Sequence, residues 1–355
     1  MSGMLSRLLA LAAAVAALAA GPARAQDGPA QMTDEMRRMI TEGARGSLAV
    51  QVEQGTEGGP GVGAARLSIE LYHQNMAVYQ MTRTLEENGT ALLGDLPVGL
   101  AVRPVVRIEY DGVSYVELGP SMDAEHPDAA VKLTVYQTTH EAPAWRVAMR
   151  HIMVQRVTDG TIVNETLVVE NPTDKTWFGG EPMREEKGTT VRVGLPALVT
   201  QQDVHLDSGF HGWCCTTFEN GELTVQMPMM PGQTPYKYTY FIPTQPEQVD
   251  LTFSAIAPTD SIVVFVPDDG TETEATTLAA QGTQDTGRQR MRTFTAEHVN
   301  AGQRAGVVLR TLRTAAEVQA PTASVATPFP WVMAAGLAGA VVLAILVVVM
   351  MRGRG

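Results

Sequence analysis

VRPVVRIEYDGVSYVEL, Val102 to Leu118, decides the fold class. Val102, Pro104, Val106, Ile108 and Tyr110 fall on one face at a period of two, the signature of a half-buried strand. Asp111-Gly112 then supplies two residues tolerant of positive φ, the chemistry of a type I′ hairpin turn. The chain returns through Val113 to Leu118. Upstream the period recurs: Leu48, Val50 and Val52 share one face, and Ala65, Leu67, Ile69 and Leu71 share another. Val78 to Thr84 reads as a further strand leading to a turn at Glu86 to Gly89. Gly55 to Gly63 (GTEGGPGVG) lacks the spacing that cradles phosphates and reads as a flexible connection. Ahead of these strands, MTDEMRRMITEG (32–43) is long enough for one short helix.

Beyond a polar link, Ser121 to Asp128, a second run of strands is expected. They are Val131–Tyr136, Trp145–Val157, Thr161–Glu170, Val191–Leu195, Thr217–Val225, Tyr236–Ile242, Val249–Ile256 and Ser261–Val266. Asp159-Gly160 and Asn220-Gly221 carry hairpin chemistry, and Asn171-Pro172 ends a strand. Gly270 to Arg290 is rich in Thr, Gln and Gly without an apolar period and reads as a long loop. Thr293 to Thr311 returns two strand-like runs. The expected class is all-β, two consecutive β-sandwich domains at 46–120 and 129–313, the second immunoglobulin-like.

The two ends of the chain speak to compartment. Arg7, the apolar run Leu8 to Ala20, a Gly21-Pro22 break and Ala23-Arg24-Ala25 have the layout of a secretory signal peptide over 1–25. Residues 26–45 form a polar segment. VMAAGLAGAVVLAILVVVMM, Val332 to Met351, is twenty uncharged residues, and as a helix it covers about 30 Å, a bilayer's hydrocarbon core. With Trp331 at its edge, 331–351 is expected to be a transmembrane helix. Arg352 and Arg354 place the 352–355 tail in the cytoplasm by the positive-inside rule, and 314–328 has the composition of a stalk. The expected location is the inner membrane, single-pass, with the β domains periplasmic. Ala335, Gly336, Gly339 and Ala340 put small residues on one side of the helix, where two spans can approach closely and self-associate.

Lys+Arg 26 against Asp+Glu 38 gives a net charge of -12. That argues against nucleic acid or anionic-lipid surfaces as main ligands, since both need basic patches. Only two cysteines occur and they are adjacent, so apolar cores rather than a disulfide framework must hold the domains.

Gly46 to Val52, Gly61-Val62-Gly63-Ala64-Ala65 leading into Leu67-Ser68-Ile69, Gly89 to Pro97 (GTALLGDLP) and the Val106 to Val116 hairpin together resemble the carboxypeptidase-regulatory-like, transthyretin-type β-sandwich domain. Ala91 and Leu92 stand where that family commonly has an aromatic. The resemblance implies an accessory or adhesive β module. No metallocarboxypeptidase catalytic pattern accompanies it: none of the seven histidines has a Glu three residues later. The order of signal, regulatory-like domain, larger sandwich and one C-terminal helix resembles a recurring bacterial membrane-anchored architecture. VYQTT, ETLVVENPTDKTW and PMMPGQTPYKYTYFIP carry that likeness.

Cys214-Cys215, with His205 and His211 upstream and Met227, Met229 and Met230 downstream, is the one concentration of soft donors that suits copper(I). Its spacing matches no closed zinc pattern. A bridge between neighbours is strained, because adjacent Cα atoms lie about 3.8 Å apart, and a strained bridge is readily reduced. We favour a passive thiol pair on a hairpin arm, one sulfur inward and one outward, and gap-filling methionines beside it. No cofactor is expected. Tyr236, Tyr238 and Tyr240 alternate on one strand face and are read as packing across a sheet rather than as a binding row. No G-x-S-x-G elbow occurs, and no catalytic residues are nominated. The expectation is therefore not an enzyme. It is a membrane-anchored binding or scaffolding module for another envelope protein or glycan. The alternative is an accessory factor for metal, thiol or cytochrome assembly using Cys214-Cys215.

Overall fold

The computed structural model describes residues 32–180, 188–210, 212–243, 248–287 and 289–310. The expected signal peptide, stalk, membrane helix and tail lie outside these residues. Among the described residues no helix is long and apolar enough to cross a membrane. Among the described residues the fold is β throughout apart from one α-helix and two single 3-10 turns, and it divides into two units. One is built on residues 32–135; the other is built on 136–310, with 55–59 and 111–113 counted to it.

In the first unit α1 (Asp34–Glu42) starts at Thr33, whose hydroxyl accepts from the Met36 amide, and carries Asp34 and Glu35 in its first turn. Both features stabilise a helix N-terminus. Seven strands follow: β1 (Arg45–Gln54), β2 (Arg66–His73), β3 (Met76–Thr84), β4 (Thr90–Pro97), β5 (Arg103–Tyr110), β6 (Val113–Leu118) and β7 (Asp128–Val135). They form a three-stranded sheet β4-β1-β7 and a four-stranded sheet β3-β2-β5-β6. Each sheet buries one face. Leu48, Val50 and Val52 are buried on β1, Leu67, Ile69 and Leu71 on β2, Val106 and Ile108 on β5, and Val131, Leu133 and Val135 on β7. Full burial of one such side chain is worth about 1.5–3 kcal/mol. Asp111 and Gly112 both take positive φ, 47° and 78°, as the hairpin requires.

The strand expected to open the second domain belongs here instead. Asp128–Val135 pairs in parallel with β1, Ser47 through Gln54, so the expected boundary at 129 moves to Val135. Alternation at Val131, Leu133 and Val135 specifies a strand, but a parallel, non-local partner has no turn chemistry to announce it.

The second unit contains β8 (Thr138–Thr139), β9 (Arg146–Val157), β10 (Gly160–Asn171), β11 (Thr176–Trp177), β12 (Val191–Gly194), β13 (Val204–Leu206), β14 (Thr216–Glu219) and β15 (Glu222–Val225). It continues with β16 (Gly232–Pro243), β17 (Gln248–Asp250), β18 (Phe253–Ser254), β19 (Thr259–Pro267), β20 (Glu272–Thr276), β21 (Ala279–Asp285), β22 (Arg290–Val299) and β23 (Arg304–Arg310). The main sheet has seven strands in the order β13-β16-β10-β9-β19-β22-β21. All its pairs are antiparallel except β9 with β19. A three-stranded sheet β12-β15-β14 and a four-stranded group centred on β23 complete the unit, with a small β8/β11 pair. One continuous apolar cluster joins them: Val154, Val163 and Leu167 of the main sheet, Val193 and Leu223 of the three-stranded sheet, and Val307 and Leu309 of β23.

Three expectations need correction. Gly270 to Arg290 is not a loop; it contains β20 and β21. Every residue of β21 is exposed, and an edge strand with no buried face has no apolar period to read. The Asp159-Gly160 turn is displaced by one residue. Gly160 pairs with Val157 and with Pro243 inside the sheet, which leaves Thr158-Asp159 as the loop. Gly160 is needed there for space, since a Cβ would lie 2.3 Å from the Ile242 carbonyl oxygen. Val249 to Ile256 is two short strands, β17 and β18, both pairing with β23.

Candidate functional site

The alternation on β10 and β16 places an ionic network inside the core of the second unit. Glu165 and Arg150 are each 3% exposed. The Arg150 Nη2 atom lies 2.8 Å from Glu165 Oε2, and Nε donates to the same oxygen at 3.0 Å. Tyr238 donates to Oε2 at 2.8 Å and Tyr240 donates to Oε1 at 2.7 Å. The Arg150 guanidinium carbon sits 3.5 Å from the Phe253 ring centroid, a cation–π contact. Burial alone would lower the Arg150 pKa, but attraction from Glu165, Tyr238 and Tyr240 outweighs it and the guanidinium is held more firmly charged. Burial and the neighbouring Glu165 charge raise both tyrosines well above the usual range, so their hydroxyls remain donors. A register shift lets Arg150 face inward. Met149 opposes Val168 and Val147 opposes Val169, so Ala148 is the extra residue of a bulge that re-aims the following side chains.

This network is inaccessible, and both Glu165 oxygens, both tyrosine hydroxyls and Nε and Nη2 of Arg150 point at one another, which makes it structural. The tyrosine row read from the sequence does pack across the sheet, and Phe210 joins it at 5.1 Å from the Tyr236 ring. The sequence reading missed Arg150 and Glu165. The one available signal was a charge on the apolar face of each of two adjacent strands. On the opposite face of β9, His151 is buried, and burial pushes its pKa down to about 4.

The accessible candidate is the outer face of the three-stranded sheet. Leu223 and Val225 point into the core, so Glu222, Thr224 and Gln226 point out. Register aligns Arg192 with Thr224 and Thr224 with Thr217, and Gly194 with Glu222 and Glu222 with Glu219. These residues, with Thr189, Asn220 and Gly221, line a cleft of about 760 Å³. Asn220 and Gly221 take φ of 53° and 77°, the type I′ turn that the sequence predicts. Gly194 leaves the floor open, since a Cβ there would meet nothing within 4 Å. Arg192 reaches Glu222 at 3.4 Å, whereas Glu219 lies directly opposite Glu222 on the neighbouring strand. Two carboxylates side by side repel, so the surface favours a ligand that brings donors. It has hydroxyls, amides, carboxylates and the Arg192 guanidinium but no aromatic stacking platform.

Cys214 and Cys215 lie where a 3-10 turn (Gly212–Cys214) enters β14. Cys215 is buried and Cys214 exposed, with their sulfurs 3.3 Å apart. Met229 is buried and bridges to Trp177, Met227 packs on the core, and Met230 is half-buried. His205 is on β13 in the main sheet, opposite Thr239, and His211 lies outside the described residues. Among the described residues no three His, Cys, Asp or Glu side chains gather to hold a metal. The small-residue stripe Ala335, Gly336, Gly339 and Ala340 also lies outside them.

No family model matches the chain, and no curated protein matches it. Among solved structures it is similar to the full-length RrgB pilus protein of Streptococcus pneumoniae, at 11% identity and a TM-score of 0.20. The match covers 75% of this chain and 62% of the pilus protein, less than two thirds of that protein's length.

Proposed function

We propose that this chain is an exported binding or scaffolding module, anchored in the inner membrane by 331–351, whose second unit engages another envelope component through the outer face of β12-β15-β14. In this reading each unit is a β-sandwich, the first of the carboxypeptidase-regulatory-like type. The alternately buried faces of its three- and four-stranded sheets support that assignment. The single observation that carries the binding reading is the polar cleft of about 760 Å³, with two facing carboxylates and an open glycine floor. Its chemistry suits a donor-rich ligand, a glycan or a basic segment of a partner protein. The test is a photo-crosslinking residue at Thr224 in the full chain in its native membrane, with and without Glu219→Lys and Glu222→Lys. A discrete adduct that the lysine substitutions reduce at least tenfold is expected. No adduct, or one indifferent to the substitutions, contradicts the reading.

A second reading rests on the 3.3 Å sulfur contact: a thiol or metal accessory factor. Cys214→Ser with Cys215→Ser should leave the Thr224 adduct intact under the first reading and abolish function under the second.

A further inference from the structure

Cys214 closes the 3-10 turn Gly212–Cys214, Cys215 leads into β14, and their sulfurs lie 3.3 Å apart. Both are thiols, Cys214 exposed and Cys215 buried. Cys215 is held in place: its carbonyl accepts from the Gln226 amide at 2.8 Å, and Thr216 beside it pairs with Val225. The turn carrying Cys214 buries no residue. Gly212 within it takes a φ of 72°, with open space where a Cβ would stand. One sulfur is therefore anchored in the sheet, and the other sits at the surface on a turn with no side chain in the core.

We propose that Cys214-Cys215 is a thiol–disulfide exchange site for disulfides that reach the protein surface, with Cys214 as the attacking sulfur and Cys215 as the resolving one. It departs from the passive pair expected from the sequence, because a surface sulfur in contact with an anchored one has the two parts that exchange needs. A metal needs more donors than two thiolates, and among the described residues no three His, Cys, Asp or Glu side chains gather. A bond of about 2.05 Å requires the sulfurs to close by only about 1.2 Å from their 3.3 Å contact. The bridge would join Cα atoms about 3.8 Å apart, below the usual range for disulfides. Strained or exposed bridges are the ones that exchange rather than staple a fold. On the exported topology proposed above, the pair faces a compartment where disulfides persist.

In the first step the Cys214 thiolate attacks one sulfur of a disulfide R–S–S–R. A Cys214–S–S–R bond forms, and RS⁻ leaves with the electron pair of the broken bond and takes up a proton. The Cys215 thiolate then attacks the Cys214 sulfur, the intramolecular bridge forms, and the second RS⁻ leaves and is protonated. The pair loses two protons and two electrons, and the substrate disulfide gains both. This deepens the thiol reading above by naming its substrate class, yet its test reads the sulfurs themselves. Exchange in a chain whose double serine variant is functionally silent would sink the accessory-factor reading alone.

The full chain in detergent is incubated with oxidised glutathione, quenched by acid and alkylation, and analysed by mass spectrometry. The unsubstituted protein is expected to lose both alkylatable thiols and retain no glutathione, and reduced glutathione should restore them. Cys215→Ser should trap glutathione on Cys214, and Cys215→Ala repeats the measurement should the serine variant have a lowered thermal midpoint. Cys214→Ser, which leaves only the buried thiol, should be modified at least tenfold more slowly. Two thiols that stay alkylatable, glutathione retained on Cys214 of the unsubstituted protein, a bridge between two chains, or equal rates for the two single variants would each overturn the proposal.

Discussion

Glu165 accepts from Arg150, Tyr238 and Tyr240 within a core otherwise built from aliphatic and aromatic side chains. A buried ion pair adds little net stability over an apolar pair of the same shape, but removing one partner strands the other and costs about 3–5 kcal/mol. Glu165→Gln should therefore lower the stability of the second unit by about that amount, read as a fall in urea midpoint. Arg150→Met added to it should restore part of the loss, because no buried charge then remains and Gln can still accept from the tyrosines. An additive double mutant would show that the four groups do not act together. Tyr240→Phe deletes one hydrogen bond to a charged group and should cost about 1.5–3 kcal/mol. Arg150 and Glu165 were hard to read from sequence for a physical reason. A charge on an apolar face normally disqualifies that face, and only the cross-strand register makes the two charges compensate.

At the scale of elements, Gly160 and Gly194 make a controlled pair. Both sit in strands at negative or extended φ, yet a Cβ on Gly160 meets backbone at 2.3 Å and one on Gly194 meets open space. Gly160→Ala should cost at least about 2 kcal/mol, the range of overpacking against an unyielding neighbour. Gly194→Ala should change stability by no more than about 0.5 kcal/mol. Equal thermal midpoints for the two would contradict the close approach of β10 and β16. Legibility divides along the same line. Hairpins with local turn chemistry, Asp111-Gly112 and Asn220-Gly221, were readable because their partners are adjacent in sequence. β20 and β21 were not, since β21 buries no side chain, and for β7 the strand was readable but its partner was not, because it pairs in parallel with a strand about 80 residues earlier in the chain. The cleft was unreadable as well, because Arg192, Thr217 and Thr224 converge only through the β12-β15-β14 register.

For the whole molecule, we propose that the two β units are exported by 1–25 and anchored in the cell envelope by 331–351. The acidic balance, -12 overall, fits a surface that engages donors rather than phosphates. Gly339→Leu should weaken any self-association of the span in a membrane reporter, since a bulky side chain prevents close helix approach; unchanged association would leave the span acting as a monomeric anchor. The measurement that bears most directly on the account is protease digestion of intact spheroplasts, followed with an antibody against the second unit. On the proposed topology this unit is degraded from outside while a cytoplasmic control protein survives. Full protection of the unit until the membrane is lysed would put both β units on the cytoplasmic side and contradict an exported binding module.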